Sequence, residues 1–256
     1  MTRVAVLISG QPRFGRTTTE LMKTAFVNFE QVDWFFSLWK STPLFQTTPW
    51  GIWGVIPPGW ENINVNWAID KIMQHMPEKQ CLQSCELLDF DNLEMKYTSK
   101  QSVFHQFYSI HRSDILRQNF EKSQGFTYDY VIRIRPDIIF DRPINIDHIP
   151  TKCIGIVDNR QSGEGNYSCN DFYAIGGSKD MGTYCNLFNY LQIYNQIKTV
   201  ELPELSYTEH PETCLGYHCT YHGLKFIKHE INAILRPYGA VDNQNNFLND
   251  FSTWGR

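Results

Sequence analysis

The stretch YDYVIRIRPDIIF, residues 128–140, decides the fold. Val131, Ile132, Ile134, Ile138, Ile139 and Phe140 give it the near-continuous apolar character of a strand covered on both faces, as in a parallel sheet flanked by helices. Read as a single buried strand, it carries Arg133, Arg135 and Asp137 at alternate positions, on one side of an extended chain. Pro136 interrupts the run. Three charges in a core strand need a reason, because taking an ion out of water costs several kcal/mol. A buried ion pair between Arg133 and a distant carboxylate is one. The stronger reason is a ligand, since open α/β sheets bind ligands beyond the carboxyl ends of their strands.

Working outward, RVAVLISGQPR is an apolar strand that ends at Gly10 and Pro12. RTTTELMKTAFVNF follows as an amphipathic helix, with Leu21, Met22, Ala25 and Phe26 inward, and VDWFFSLW is a second buried strand. A strand, loop, helix and strand in this order open a parallel α/β sheet. Residues 42–66 read as a long loop, WAIDKIMQHM as a short helix and CELLDF as a third strand or a connector. KQSVFHQFYSIHRSDILRQNFEKS is the clearest helix, with Val103, Phe107, Ile110, Ile115 and Leu116 as its apolar stripe and Gly125 as its stop. Beyond the charged strand come a strand in KCIGIVDN, a loop rich in Gly, Ser and Asn at 160–171, and a strand in DFYAIGG. The spacing predicts one helix over 178–197 with Ser178 as N-cap, a helix opening at Pro211 and Glu212, and a strand pair within 224–239. Residues 241–256 form a polar tail.

With no internal repeat and no linker, the expectation is a single Rossmann-like α/β domain over 1–256 with a mixed, mostly parallel sheet. Residues 1–140 and 141–240 would form its two halves. A net charge of −4 argues against a nucleic-acid partner held by bulk electrostatics. The odd count of 7 cysteines, without paired zinc-ligand spacing, suits reduced thiols and a cytoplasmic location. No run approaches the ~18 apolar residues of a transmembrane helix.

Taken together, SGQPR after the first strand, VDWFFSLW, HQFYSIHRSDIL, YDYVIRIRPDIIF and NDFYAIGGSKDMGTY resemble a family of GT-A-type nucleotide-sugar glycosyltransferases of microbial and viral genomes. The resemblance runs from Val4 to about His222. It implies transfer of a sugar from a nucleoside-diphosphate sugar to a hydroxyl acceptor such as a glycan. In that fold an Asp-x-Asp motif ends a central strand and holds a divalent metal on the diphosphate. Arg135-Pro136-Asp137 takes the corresponding place and matches only the second acid. Asp137 with the phosphates can hold Mg²⁺ or Mn²⁺; alternatively Arg135 neutralises the diphosphate itself through paired donors. Asp141 is a weaker second acid.

The resemblance places Ser9, Gly10, Gln11 and Arg13 against the nucleotide, with Arg133, Arg135 and His210 as further donor contacts. Asp171, preceded by Asn170, and Glu212 are the candidate bases for the acceptor hydroxyl. Gln106, Tyr108 and Ser109 lie on the long helix before the charged strand, where a core role for Tyr108 is the simpler reading, and His218 and His222 read as structural. Two other readings fit the same residues. One is a non-catalytic nucleotide- or glycan-binding domain on this fold; the other is a nucleotidyltransferase, for which SGQPRFGR is a loose phosphate loop.

Overall fold

The computed structural model describes residues 2–10, 25–40, 47–48, 51–52, 69–70, 80–89, 101–136, 138–140, 142–146, 149–157, 169–197, 211–231 and 233–235. The strands are β1 (Val4–Gly10), β2 (Val32–Trp39), β3 (Thr47–Thr48), β4 (Gly51–Ile52), β5 (Gln80–Leu88), β6 (Tyr130–Ile134), β7 (Ile138–Phe140), β8 (Cys153–Ile156), β9 (Tyr173–Gly176), β10 (Lys225–Lys228) and β11 (Ala233–Leu235). The helices are α1 (Gln101–Gln124), α2 (Ser178–Cys185), α3 (Leu187–Ile197) and α4 (Pro211–Tyr221).

Seven strands form one sheet in the order β5-β2-β1-β6-β9-β8-β10. The pairs β2–β5, β1–β2, β1–β6 and β8–β10 are parallel, and β9 is antiparallel to both β6 and β8. The α/β class and the mixed, mostly parallel sheet are therefore as the sequence predicts. β2 is buried at all 8 of its positions, because both faces of the sheet are covered. Alternation sorts the side chains of the central strands into two layers. Val6, Ile8, Trp34, Phe36, Ile132 and Ile134 pack with Phe26, Ile138 and Phe140 on one face. Ala5, Leu7, Phe35 and Val131 pack on the other, beneath Phe107 and Ile110 of α1, Tyr184 of α2, Leu191 of α3 and Leu215 of α4. Each fully buried side chain of this size contributes roughly 1.5–3 kcal/mol, so these two layers dominate the fold's stability. Among the described residues no helix is long and apolar enough to cross a membrane.

Five expectations need correction. The stretch 128–140 is two strands rather than one. The Ile138 N–H donates to the Arg135 carbonyl at 3.3 Å, closing a turn with Pro136 in its second position, and β7 leaves the sheet to pair antiparallel with β11. Proline has no N–H for a central ladder and favours this turn position, so the break follows from its chemistry. β10 and β11 accordingly are strands, but β10 joins β8 and β11 joins β7 instead of pairing with each other.

The single helix over 178–197 is broken at Asn186, whose N–H bonds the Thr183 carbonyl at 3.1 Å while its side-chain oxygen accepts from Asn189 at 2.6 Å. The Asn189 N–H likewise donates to the Asn186 carbonyl at 3.1 Å, so the backbone tightens to i→i−3 bonding on both sides of the break. The N-cap of α2 is Gly177, and Ser178 Oγ donates instead to Glu121 at 2.9 Å. Finally, the buried stripe of α1 runs on from Ile110 through Asp114 and Arg117, while Ile115 and Leu116 are half-buried. Apolar periodicity alone misses a helix face whose second half is polar and internally paired.

Candidate functional site

The chain order passes from β1 outward to β2 and β5, then returns to the other side of β1 as β6. The sheet's direction of winding therefore switches between β1 and β6, and a crevice at such a point, outside the carboxyl ends of the strands, is where open α/β sheets take ligands. Here those ends are Ser9-Gly10 and Arg135-Pro136. Gly10 has φ +124°, a conformation that side chains with a Cβ rarely adopt, and a Cβ there would lie 3.8 Å from Pro136 Cδ.

Arg133 sits inside the sheet's helix-covered layer and is fully buried. Its register partner on β1 is Leu7 and on β9 Ala174. Nε–H donates to Ser9 Oγ at 3.2 Å, and Nη1 donates to the Asp171 main-chain carbonyl. Nη2 is buried with no hydrogen-bond partner among the described residues. Burial pushes this guanidinium's pKa down, with the nearby Tyr184 and Asp171 opposing. Tyr184 OH and Ser37 Oγ are likewise buried without a partner, and Ser37 lies beside Ser9 in the β1–β2 register.

The neighbouring Arg135 is at the surface of the same cluster. Its N–H continues the β6–β9 ladder to the Phe172 carbonyl at 3.1 Å, which fixes the residue while leaving its side chain 23% exposed. Arg135 Nη1 stands 3.9 Å from Asp171 Oδ1. Asp171 Oδ2 accepts a hydrogen bond from Gln106 Nε2 of α1. Asn170 shapes the approach, its Oδ1 accepting from the Phe172 N–H at 3.0 Å in an Asx turn. Arg133 thus staples the backbone of Asp171 to the end of β1, while Gln106 and Arg135 hold its carboxylate.

Glu212 enters from α4. The N–H and the thiol of Cys169 both donate to the Glu212 carbonyl, at 3.4 and 3.5 Å, tying the first turn of α4 to the segment that carries Asp171. Pro211 in the first helical position needs no N–H partner and is suited to that turn. Burial raises the Glu212 carboxyl to about 7; the charge of Asp171 pushes the same way, and Arg135 opposes it. A half-buried acid with a pKa near neutrality beside a fixed carboxylate and a guanidinium is chemistry suited to proton transfer.

Of the candidates chosen from sequence, the fold brings together Ser9, Gly10, Arg133, Arg135, Asp171 and Glu212. Gln11, Arg13, Asp137, Asp141 and His210 lie outside the described residues. Arg133 differs from its expected surroundings: it is closed from solvent and holds the site's frame, because its place on β6 puts it, like Val131, in the helix-covered layer. Tyr108 packs between Trp39 and Phe188, and Ser109 Oγ donates to the Gln106 carbonyl at 2.8 Å. His218 is buried between the Tyr194 hydroxyl and the Thr183 carbonyl, 2.8 Å from each, a structural position. The bond from Gln106 to Asp171 was not foreseen; its sequence signal is a polar amide next to Phe107, inside an otherwise apolar helix stripe. Among the described residues no three metal-ligating side chains gather.

Fold and site together define an α/β chain with a charged acid–base cluster at the switch point of its sheet. Set against known proteins, the chain matches no family model and no curated protein.

Proposed function

We propose that this chain is a GT-A-like glycosyltransferase that moves a sugar from a nucleoside-diphosphate sugar to a hydroxyl acceptor. The observation that carries the reading is the Arg135–Asp171 pair, 3.9 Å apart at the carboxyl ends of β1 and β6, with the first turn of α4 and its Glu212 tied to the Asp171 segment through Cys169. Sugar transfer needs two things there: positive charge where the diphosphate leaves, and a carboxylate to receive the acceptor's proton. Arg135 supplies the first with donors that reach a phosphate in pairs. The Asp171–Glu212 pair supplies the second. Gly10 lets the backbone approach the donor closely, and Ser9 and Arg133 hold the loop of Asp171 against it. Gln11, Arg13 and His210 are proposed donor contacts, and Asp137 the residue for a divalent metal, on the motif resemblance.

A thermal-shift screen of UDP-, GDP-, CMP- and dTDP-sugars, each with Mn²⁺, Mg²⁺ or EDTA, tests the donor class. A rise selective for one nucleotide is expected, and its survival in EDTA would assign the diphosphate charge to Arg135. With that donor and a glycan acceptor, Arg135→Ala lowers transfer by roughly 10²–10³-fold, the scale of a lost transition-state donor. Asp137→Ala also abolishes it, and both variants melt within a few degrees of the wild type. If both variants unfold instead, the charged turn is architecture. Selective binding with no turnover would favour the glycan- or nucleotide-binding alternative.

A further inference from the structure

We propose that Arg133 and Tyr184 hold a small monovalent anion, of the size and charge of chloride, in the layer between the sheet and α2. Such a site needs neither donor nor acceptor and is independent of the transferase reading.

Two buried groups form it. Arg133 and Tyr184 are both closed from solvent. α2 packs over β6, β8 and β9. Tyr184 thereby shares one layer with Val131, two residues before Arg133, and with Ala174, the register partner of Arg133 on β9. The two side chains are close enough for each to act on the other's charge. Arg133 spends Nε on Ser9 Oγ at 3.2 Å and Nη1 on the Asp171 carbonyl. Its Nη2 and the Tyr184 hydroxyl have no hydrogen-bond partner among the described residues. Folded chains leave few buried donors in that condition, and here two meet in one layer.

Charge selects the ligand. Both partners of Arg133 are neutral oxygens, and among the described residues no carboxylate is in ion-pair contact with it. The Asp171 carboxylate is engaged elsewhere, with Oδ2 accepting from Gln106 and Oδ1 standing 3.9 Å from Arg135. A buried cation without a counter-charge costs several kcal/mol. Tyr184 cannot supply that charge, because burial pushes its pKa well up and keeps the hydroxyl a neutral donor. The Cys169 and Cys185 thiols beside it are pushed up in the same way and stay neutral. A guanidinium edge and a hydroxyl, both donors, suit an anion and repel a metal ion. A water molecule would accept from both but bring no charge. With both side chains closed from solvent, a single ion fits this setting, whereas a phosphate or carboxylate carried on a larger molecule does not. Bound there, the ion fixes the guanidinium that ties the end of β1 to the Asp171 backbone.

The test is a melting series in sodium chloride against sodium gluconate at constant ionic strength. Melting opens the layer, so entry of the ion does not limit the measurement. An anion that binds only the folded chain raises Tm in step with its concentration. Wild type is expected to gain a few degrees as chloride replaces gluconate, and bromide to do the same. Arg133→Met loses the response. Tyr184→Phe keeps the ring's packing and removes only the oxygen, so it shifts the chloride dependence to concentrations about tenfold higher or more. Crystals of the wild type grown in bromide show an anomalous peak between Nη2 and the Tyr184 hydroxyl, a readout that holds even if Arg133→Met fails to fold. A wild-type Tm indifferent to chloride, a response that Arg133→Met retains in full, or bromide found on the surface alone would overturn the site, and an unshifted response in Tyr184→Phe would remove Tyr184 from it. None of these results depends on a sugar donor being found.

Discussion

Two arginines are buried in the same layer of this molecule, and they are treated in opposite ways. Arg117, on α1, has every nitrogen matched. Nε donates to Asp114 Oδ1 at 2.7 Å, Nη2 lies 2.6 Å from the same oxygen, and Nη1 reaches Glu121 Oε2 at 2.7 Å and also Ser178 Oγ. Glu121 is further satisfied by the Tyr128 N–H at 2.8 Å. Arg133, on β6, has a hydroxyl, a carbonyl and one empty nitrogen, with no carboxylate in ion-pair contact among the described residues. A closed network explains itself as architecture. A fully buried cation left short of partners at the switch point of the sheet has no such explanation, and it stands behind the residues assigned to chemistry.

Replacing each arginine by methionine, which is similar in length but uncharged, puts the comparison at risk. Arg117→Met strands Asp114 and Glu121 in a dry layer without their cation, at a cost of about 3–5 kcal/mol. In a chain of this size that is a fall of roughly 6–20 °C in Tm. Arg133→Met removes a cation that already bears its desolvation with little compensation, so its Tm stays within a few degrees of the wild type. Sugar transfer is lost all the same, because Asp171 is no longer stapled to Ser9. Equal destabilisation by the two substitutions would show that Arg133 is as structural as Arg117.

Glu212 predicts a smaller and pH-dependent effect. An acid raised from 4.5 to about 7 on folding binds its proton more tightly in the folded chain. Its contribution to stability is complete below 4.5 and is lost as pH rises, reaching its minimum above 7. The loss is roughly 2–3 kcal/mol, reduced somewhat by the group's partial exposure. Glu212→Gln cannot ionise and escapes the loss. Its melting temperature coincides with the wild type near pH 4.5 and exceeds it by several degrees at pH 8, a trade of stability for a charged group at the site. A difference that does not change with pH would show that Glu212 is not buried against Asp171.

The sequence is most legible where periodicity and turn chemistry act alone. The apolar runs of β1, β2 and β6 mark the parallel core, Gly125 stops α1, and Pro211 opens α4. Arg135, Asp171 and Glu212 are recognisable as site candidates because charges beside buried strands and at a helix start are costly or directional. What cannot be read locally is pairing. Nothing near Ile138 says that its strand leaves the sheet for β11, which begins at Ala233. Asp114 and Arg117 read as a surface pair at helical spacing until Glu121 and Ser178 close over them, and Ile115 looks like core until they do. The amide of Gln106 meets Asp171 across 65 residues of sequence, a contact that only the assembled layers create.

The finest comparison is between two glycines. Gly10, at the crevice, and Gly125, beyond the end of α1, both have positive φ, at +124° and +69°. A Cβ at Gly125 meets nothing within 4 Å, and its conformation is one that alanine enters at a cost of about 1 kcal/mol. Gly10 is further from any region open to alanine, so Gly10→Ala costs about 1–3 kcal/mol through backbone strain alone, the Pro136 contact at 3.8 Å being an ordinary one. The two substitutions therefore differ modestly in Tm and sharply in binding. Gly125→Ala leaves any nucleotide-induced thermal shift intact, whereas, on the proposed donor site at the end of β1, Gly10→Ala reduces it. Equal shifts in both variants would move the donor away from the end of β1, and with it the role given to the switch point.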